Sequence, residues 1–315
     1  MKKVVLLEPL GISGEKLLSM AKEACGNQAE VIYHDSRKTD IPTLIERSKD
    51  ADAVVLSNFP YPREVIEACP HLSYIDVAFT GYDHVDLQAC RERGIVVSNC
   101  AGYSTVAVAD LVFGMIIALQ RRIIACDKAV RAGGTKDGLI GPEMEGKVFG
   151  VVGTGAIGSR VARIAQAFGC KVIACSRTVK DLPGVSYKSL DEVLSESDIV
   201  SLHVPQNAST IGMISAEKIA LMKKDAILIN CARGPIVDSQ ALADALNAGR
   251  IAGAGIDVYE MEPPVSEDHP LLHAKNTVCT PHVAFASNEA MEKRAVIVCR
   301  NLKAWLDGAP ENVVS

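Results

Sequence analysis

The sequence predicts an α/β protein of two units, each a parallel sheet with helices on its faces, and three observations carry that reading. Short β-branched runs alternate with helical periods through most of the 315 residues. The alternation stops over 98–131, which reads as one long helical stretch, and restarts at 148. The restart opens on a glycine-rich turn, Gly153-Thr154-Gly155-Ala156-Ile157-Gly158, set between a strand-like run and a helical one. Length alone also suggests about two domains.

In the first unit the strand-like runs are 4–7, 30–33, 53–56, 74–78 and 95–97. Helices are predicted over 14–24 and 62–68, the second with Pro62 at its start, where the missing N–H costs no hydrogen bond. The stretch 98–131 bridges the units, and the Gly- and charge-rich segment 131–146 reads as a loop. Strand-like runs then follow at 148–152, 171–175, 198–202, 226–229, 253–257 and 277–280, with a helix over 158–168. Six strands separated by helices is the count of a complete dinucleotide-binding sheet. The last helical segment, 286–306, has apolar Ala290, Val296, Ile297 and Leu302 and can pack back on the first unit.

Composition removes several function classes. Lys and Arg number 33 against 38 Asp and Glu, so the net charge of −5 leaves no electrostatic footprint for nucleic acid or an anionic membrane. With 48% hydrophobic and 23% charged residues the chain is globular, not disordered. The longest apolar stretch, 106–119, is interrupted by Asp110 and falls short of the ~20 residues that cross a bilayer. Lys2-Lys3 precede only four apolar residues before Glu8, too few for a signal peptide, and a cytoplasmic location is expected. The ten cysteines form no CxxC pair; most read as small buried apolar residues, and no metal is expected.

The three glycines at 153, 155 and 158 serve a tight turn, close approach of a pyrophosphate, and close helix–strand packing. The helix that follows offers unpaired N–H groups and a positive dipole end to the phosphates. A carboxylate that would hold the adenosine ribose is expected at the end of the second strand, where this sequence has Ser176, followed by Arg177 and Thr178. A hydroxyl beside a guanidinium suits a 2′-phosphate, which favours NADP; the alternative is NAD with Arg177 stacked on adenine.

Ligands of an open parallel sheet sit beyond the carboxyl ends of its strands. There the sequence places His203 and Pro205, then Cys231-Ala232-Arg233, then Asp257 and Glu262, then His282. Arg233, Glu262 and His282 follow consecutive strands and would converge on one edge. Hydride transfer to a ketone needs a proton donor, which His supplies near neutral pH. A neighbouring carboxylate favours the imidazolium, and a guanidinium holds a substrate carboxylate bidentately. Each residue also has a structural alternative: a capped loop histidine, a solvated acid, a surface ion-pair partner.

These motifs resemble the D-isomer-specific 2-hydroxyacid dehydrogenase family over nearly the whole chain. They stand here as VAFTGYDHVD (77–86), NCAGYSTVAVADL (99–111), GKVFGVVGTGAIGSRVA (146–162), LHVPQNAST (202–210), LINCARGPIVDSQAL (228–242), GAGIDVYEMEPP (253–264) and TPHVAFAS (280–287). The resemblance implies that Arg233 holds substrate, Glu262 supports the base and His282 is the acid/base. It implies that Asp257 holds the nicotinamide carboxamide, and that Ala156, Ile157, His203, Pro205, Thr210, Cys231 and Ala232 line the cofactor. Phe79, Thr80 and Gly81 would offer N–H groups to the substrate carboxylate, with Tyr103 at the pocket's border.

The resemblance further implies two Rossmann-like or flavodoxin-like domains. A cofactor domain, 99–285, would be inserted into a substrate-binding domain made of 1–98 and 286–315. A homodimer built largely on cofactor-domain surfaces, with the 106–131 helix contributing, is expected too. The implied reaction is hydride transfer between NAD(P)H and a small 2-oxo acid, of the glyoxylate, hydroxypyruvate or D-lactate kind. Among the departures, Ser176 replaces the usual Asp, Asp110 a usual Glu, and Phe285 a frequent Trp. Glu262, standing where a Gln would serve formate oxidation, argues against that activity. No regulatory C-terminal domain like that of longer phosphoglycerate dehydrogenases is expected. A nucleotide-sensing, co-repressor-like protein is the alternative on the same fold. An L-specific dehydrogenase would carry its glycine-rich turn near the N-terminus. Asn58, Phe59 and Tyr61, after the third strand, are expected to shape the substrate pocket.

Overall fold

The computed structural model describes residues 1–314. The chain runs through a first compact unit to Ser104, through a second from Thr105 to Phe285, and returns to the first at Ala286. The segment up to Ser104 belongs to the first unit because Cys100 N–H donates to Phe79 O and the Tyr103 ring tilts against Phe79 at 6.1 Å.

The first unit contains β1 (Lys2–Leu6), α1 (Gly14–Cys25), β2 (Ala29–Tyr33), α2 (Ile41–Ser48), β3 (Ala53–Leu56), α3 (Arg63–Glu67), β4 (Tyr74–Val77), α4 (Leu87–Glu92) and β5 (Val96–Asn99). Its five strands are all parallel, in the order β2-β1-β3-β4-β5. The strands β3 and β4 are buried throughout, as expected where helices cover both faces. Helix α1 starts where the Ser13 hydroxyl accepts from Lys16 N–H, and it buries the stripe Leu17, Ala21 and Cys25. Helix α3 is shorter than predicted, with Pro62 its N-cap and not its first turn. Phe59 and Tyr61, expected from sequence to shape the substrate pocket, are fully buried in this unit, and Asn58 is nearly so.

A C-terminal helix, Asn288–Leu306, capped by Ser287, completes the first unit by packing on α1 and β4. Trp305 stacks on Tyr74 at 5.0 Å, and Asn301 Nδ2 donates to Asp76 Oδ1 at 3.0 Å and to Asn99 O at 3.2 Å. Asp76 lies on β4, fully buried, and its Oδ2 has no hydrogen-bond partner. Burial pushes its carboxyl from the ordinary 3.8 up to about 8. Between those values the folded state keeps a proton that the unfolded chain has lost, so this group makes stability fall as pH rises, levelling off above about 8. Asp76→Asn keeps an oxygen for Asn301 and cannot ionise. It is expected to flatten the dependence of melting temperature on pH and to gain roughly 1–3 kcal/mol at the alkaline end. An unchanged slope in that variant would locate the effect elsewhere.

The second unit contains α5 (Thr105–Gln120), α6 (Ile123–Arg131), β6 (Val148–Val152), α7 (Ala156–Ala167), β7 (Lys171–Cys175), β8 (Val185–Tyr187), α8 (Leu190–Glu196), β9 (Ile199–Leu202), α9 (Ala216–Ala220), β10 (Ile227–Asn230), α10 (Ser239–Asn247), β11 (Gly253–Ile256) and β12 (Thr277–Cys279). Its sheet has seven strands, not the six predicted, in the order β12-β11-β10-β9-β6-β7-β8, all parallel. The extra edge strand, β8, is three residues long and partly polar, so no hydrophobic run announces it. The long helical stretch is likewise two helices. Arg122 takes a left-handed backbone (φ +50°) at the break, with no Gly or Pro to signal it. Helix α5 joins the core through Phe113, stacked with Phe149 at 5.9 Å and Phe168 at 5.3 Å. Helix α6 buries no residue and exposes Ile123, Ile124 and Val130. Among the described residues no helix is long and apolar enough to cross a membrane.

Candidate active site

β6 ends at Val152 and the chain turns at Gly153, whose φ of +96° only glycine adopts readily. A Cβ there would meet His203 O at 2.6 Å, and a Cβ on Gly158 would meet Gly153 O at 1.9 Å. Gly155 differs: it is exposed, and a Cβ would meet nothing within 4 Å. As N-cap of α7 it offers no side-chain oxygen, so the first N–H groups of that helix have no side-chain cap. Bare helix N–H groups beside a cradle without side chains fit a pyrophosphate.

The far end of that turn is held by a network. Ser176 Oγ accepts from Thr154 N–H at 3.4 Å. The Tyr187 hydroxyl donates to Thr154 Oγ1 at 3.1 Å and accepts from Lys180 N–H at 3.2 Å. Arg177 and Thr178 are exposed on the loop so pinned. Sequence reasoning missed Tyr187 because it missed β8, the strand that carries it.

Beyond β9, His203 is partly buried, its Nε2 is 2.9 Å from Ser201 Oγ, and burial pulls its pKa down to about 4, leaving it neutral. Thr210 Oγ1 donates to Pro205 O at 2.6 Å and accepts from Asn207 N–H at 2.9 Å, tying the 205–210 loop together. Cys231 and Ala232, after β10, are partly buried, and burial raises the Cys231 thiol well above its usual range.

Arg233 follows β10 in an extended conformation, and its main chain is fixed by Asn230. That buried amide donates from Nδ2 to Arg233 O at 2.9 Å and accepts Ala232 N–H at 3.0 Å. Asn230 is a positioning residue that sequence reasoning did not single out, although an amide ending a buried strand was a visible signal.

Asp257 follows β11 and is fully buried. Its carboxylate gathers the loop after β12: Oδ1 accepts from the Thr280 hydroxyl and from Val283 N–H at 2.8 Å, and Oδ2 accepts from Ala284 N–H at 2.9 Å. His282 N–H donates to Asp257 O at 2.8 Å. So held, His282 has φ +54°, a strained backbone that the clamp over-determines. Its Nδ1 lies 2.9 and 2.8 Å from the two Glu262 oxygens, and the Phe285 ring stands edge-on to it at 5.5 Å. Arg233, Glu262 and His282 follow β10, β11 and β12, which are neighbours in the sheet, so their main chains leave it within about 10 Å of one another. Among the described residues no cluster of His, Cys, Asp or Glu is arranged to hold a metal ion.

In the first unit, Phe79, Thr80 and Gly81 follow β4. Asn99 Nδ2 donates to Thr80 O at 2.7 Å, and Phe79 and Tyr103 are both buried.

The family profile described as "D-isomer specific 2-hydroxyacid dehydrogenase, NAD binding domain" matches residues 113–284. The chain belongs to the D-isomer specific 2-hydroxyacid dehydrogenases. Among the relatives of this dehydrogenase is the hydroxypyruvate reductase of Blautia hydrogenotrophica, 36% identical over 325 aligned positions and 99% of each chain. An acyclic imino acid reductase, Bsp5, solved with NADPH and D-Arg, superposes with a TM-score of 0.90 at 31% identity, over 99% of this chain and 100% of that one. The D-lactate dehydrogenase of Aquifex aeolicus, solved with NAD and lactic acid, gives a TM-score of 0.87 at 31% identity over 99% of each. This dehydrogenase is accordingly a nicotinamide-dependent oxidoreductase of 2-oxo and 2-hydroxy acids.

Proposed function

We propose that this dehydrogenase reduces a small 2-oxo acid of the glyoxylate or hydroxypyruvate kind to its D-2-hydroxy acid, with NADPH preferred over NADH. The observation that carries the reading is the His282–Glu262 pair on a loop clamped by a buried carboxylate. When bound, the cofactor supplies the hydride. Arg233 pairs with the substrate carboxylate and polarises the adjacent carbonyl. Glu262 engages His282 Nδ1, and the proton for the developing alkoxide passes through Nε2. Asp257 fixes the His282 loop besides reaching toward the nicotinamide carboxamide. The N–H groups of Phe79, Thr80 and Gly81 take the substrate carboxylate, with Tyr103 beside them.

The second unit binds the dinucleotide through Gly153, Gly155, Ala156, Ile157 and Gly158. His203, Pro205, Thr210, Cys231 and Ala232 line its nicotinamide half. The first unit binds the substrate. Ser176 and Arg177 receive the 2′-phosphate, on a loop that Tyr187 holds. The uncovered apolar residues Ile123, Ile124 and Val130 of α6 support a homodimer. Ten cysteines without a disulfide support work in the cytoplasm.

The test is consumption of NADPH and NADH with a panel of 2-oxo acids. Arg177→Ala is expected to raise KM for NADPH roughly tenfold or more, the weight of a charge-assisted phosphate contact. KM for NADH should stay within about twofold, since it has no such contact to lose. A wild-type preference for NADH would refute the reading of Ser176 and Arg177. Absence of turnover with every acid would favour a sensing role.

A further inference from the structure

The first sheet reverses its strand order at β1, which lies between β2 and β3, and the carboxyl edge at such a switch point is where open α/β sheets take ligands. That edge is polar in this protein. Glu8, two residues past β1 and 2% exposed, accepts Ser57 N–H at 2.7 Å and Arg37 Nη1 at 2.9 Å. Arg37 Nη1 also donates to Asn58 Oδ1 at 2.9 Å, and the guanidinium lies 5.5 Å over the Phe59 ring. The loop that carries Arg37 is itself pinned: Arg47 donates to Ser36 O at 2.7 Å, to Ser36 Oγ at 3.0 Å and to Leu7 O at 2.9 Å. A second guanidinium, that of buried Arg294, reaches Ser57 Oγ at 3.2 Å and Ala78 O at 3.5 Å, joining the end of β3 to the end of β4.

Arg37 differs from its partners in exposure. Its side chain is 41% exposed while Glu8 is buried, so the pair emerges from the sheet edge with the cation outermost. Both of its protein hydrogen bonds are made by Nη1, which leaves Nη2 and Nε as donors for a ligand. No part of the reaction described above uses this array. Yet Glu8 and Asn58, the anchors of the Arg37 guanidinium, follow β1 and β3, one to two strand spacings, about 5–10 Å, from the loop after β4. That is the span from the carboxylate of a three-carbon acid to a group on its far carbon and the donor that meets it.

We propose that this switch point is the subsite for the third carbon of the substrate, and that Arg37, oriented by Glu8 and Asn58, reads an oxygen carried there. The favoured substrates are then 2-oxo acids with a hydroxyl or carboxylate on that carbon, and Arg37 is a specificity-determining residue. The inference rests on the 2-oxo acid reading of the site.

The test compares kcat/KM for glyoxylate, pyruvate, hydroxypyruvate and oxaloacetate in the wild type, Arg37→Met and Arg37→Lys. Glyoxylate has no third carbon and pyruvate has no oxygen on it, so both report on the rest of the site. Hydroxypyruvate or oxaloacetate is expected to exceed pyruvate in the wild type; which of the two leads tells hydroxyl from carboxylate. Arg37→Met is expected to lower kcat/KM for that substrate roughly 10–100-fold, mainly through KM, the weight of one charged hydrogen bond. Glyoxylate and pyruvate should stay within about twofold, and Arg37→Lys should recover part of the loss. An equal loss on all four acids, or no loss on any, overturns the subsite. Retained glyoxylate reduction with an unchanged ratio of hydroxypyruvate to pyruvate overturns it while leaving the reductase reading intact. A wild type that reduces none of the four acids removes both.

Discussion

Replacing His282 with Ala is expected to lower kcat by at least about a hundredfold, the usual weight of general acid catalysis. The Glu262 carboxylate orients the ring through Nδ1, so Ala removes the proposed proton donor together with that contact. The left-handed backbone at this position calls for a second variant. His282→Asn tolerates φ near +54° and cannot serve as the acid, so it separates chemistry from loop geometry. Both variants should bind NADPH as the wild type does, measured by quenching of nucleotide fluorescence, and both should lose turnover. Wild-type kcat in either one ends the acid/base assignment.

Gly234→Ala is expected to be among the most damaging substitutions outside the proposed reacting groups. A Cβ there would lie 1.9 Å from the carbonyl carbon of Tyr259 and 2.0 Å from its oxygen, and main-chain atoms cannot turn aside as a side chain can. The cost is expected near 3 kcal/mol, the upper range for overpacking a filled interior. Because Arg233 is the preceding residue, relief of the clash also shifts the guanidinium proposed to pair with substrate. Melting temperature and kcat/KM should therefore fall together. Gly155→Ala is the control: its Cβ meets nothing within 4 Å, so it should melt like the wild type. Wild-type stability and activity in Gly234→Ala would refute the packing argument.

Local pattern made much of this fold legible. Runs with dense β-branching and clear breakers, such as Ala53–Leu56, Val148–Val152 and Lys171–Cys175, fold as strands over the residues expected. Where no local signal exists, sequence reasoning failed. The edge strand Val185–Tyr187 is too short to show a period, and the kink at Arg122 lies between two apolar helices with nothing to mark it. Phe59 and Tyr61 follow a strand end, and nothing in that position signals that both are fully buried. At the candidate site, residue types and their strand-end positions were readable. The Asp257 clamp and the left-handed His282 it holds were not, since they join loops that follow different strands, whereas the Asn230 brace is local to 230–233 and was readable from its strand-end amide.

The C-terminal helix carries a consequence for biosynthesis. It brings Arg294 to the ends of β3 and β4, Asn301 to Asp76, and Trp305 to Tyr74. The first unit therefore lacks an essential layer until nearly the whole chain has left the ribosome, whereas Thr105–Phe285 is one continuous stretch. The part that begins synthesis first finishes folding last. In the interval its sheet leaves Asp76 without its Asn301 partner and an aromatic face uncovered, which makes that nascent intermediate the species most in need of a chaperone.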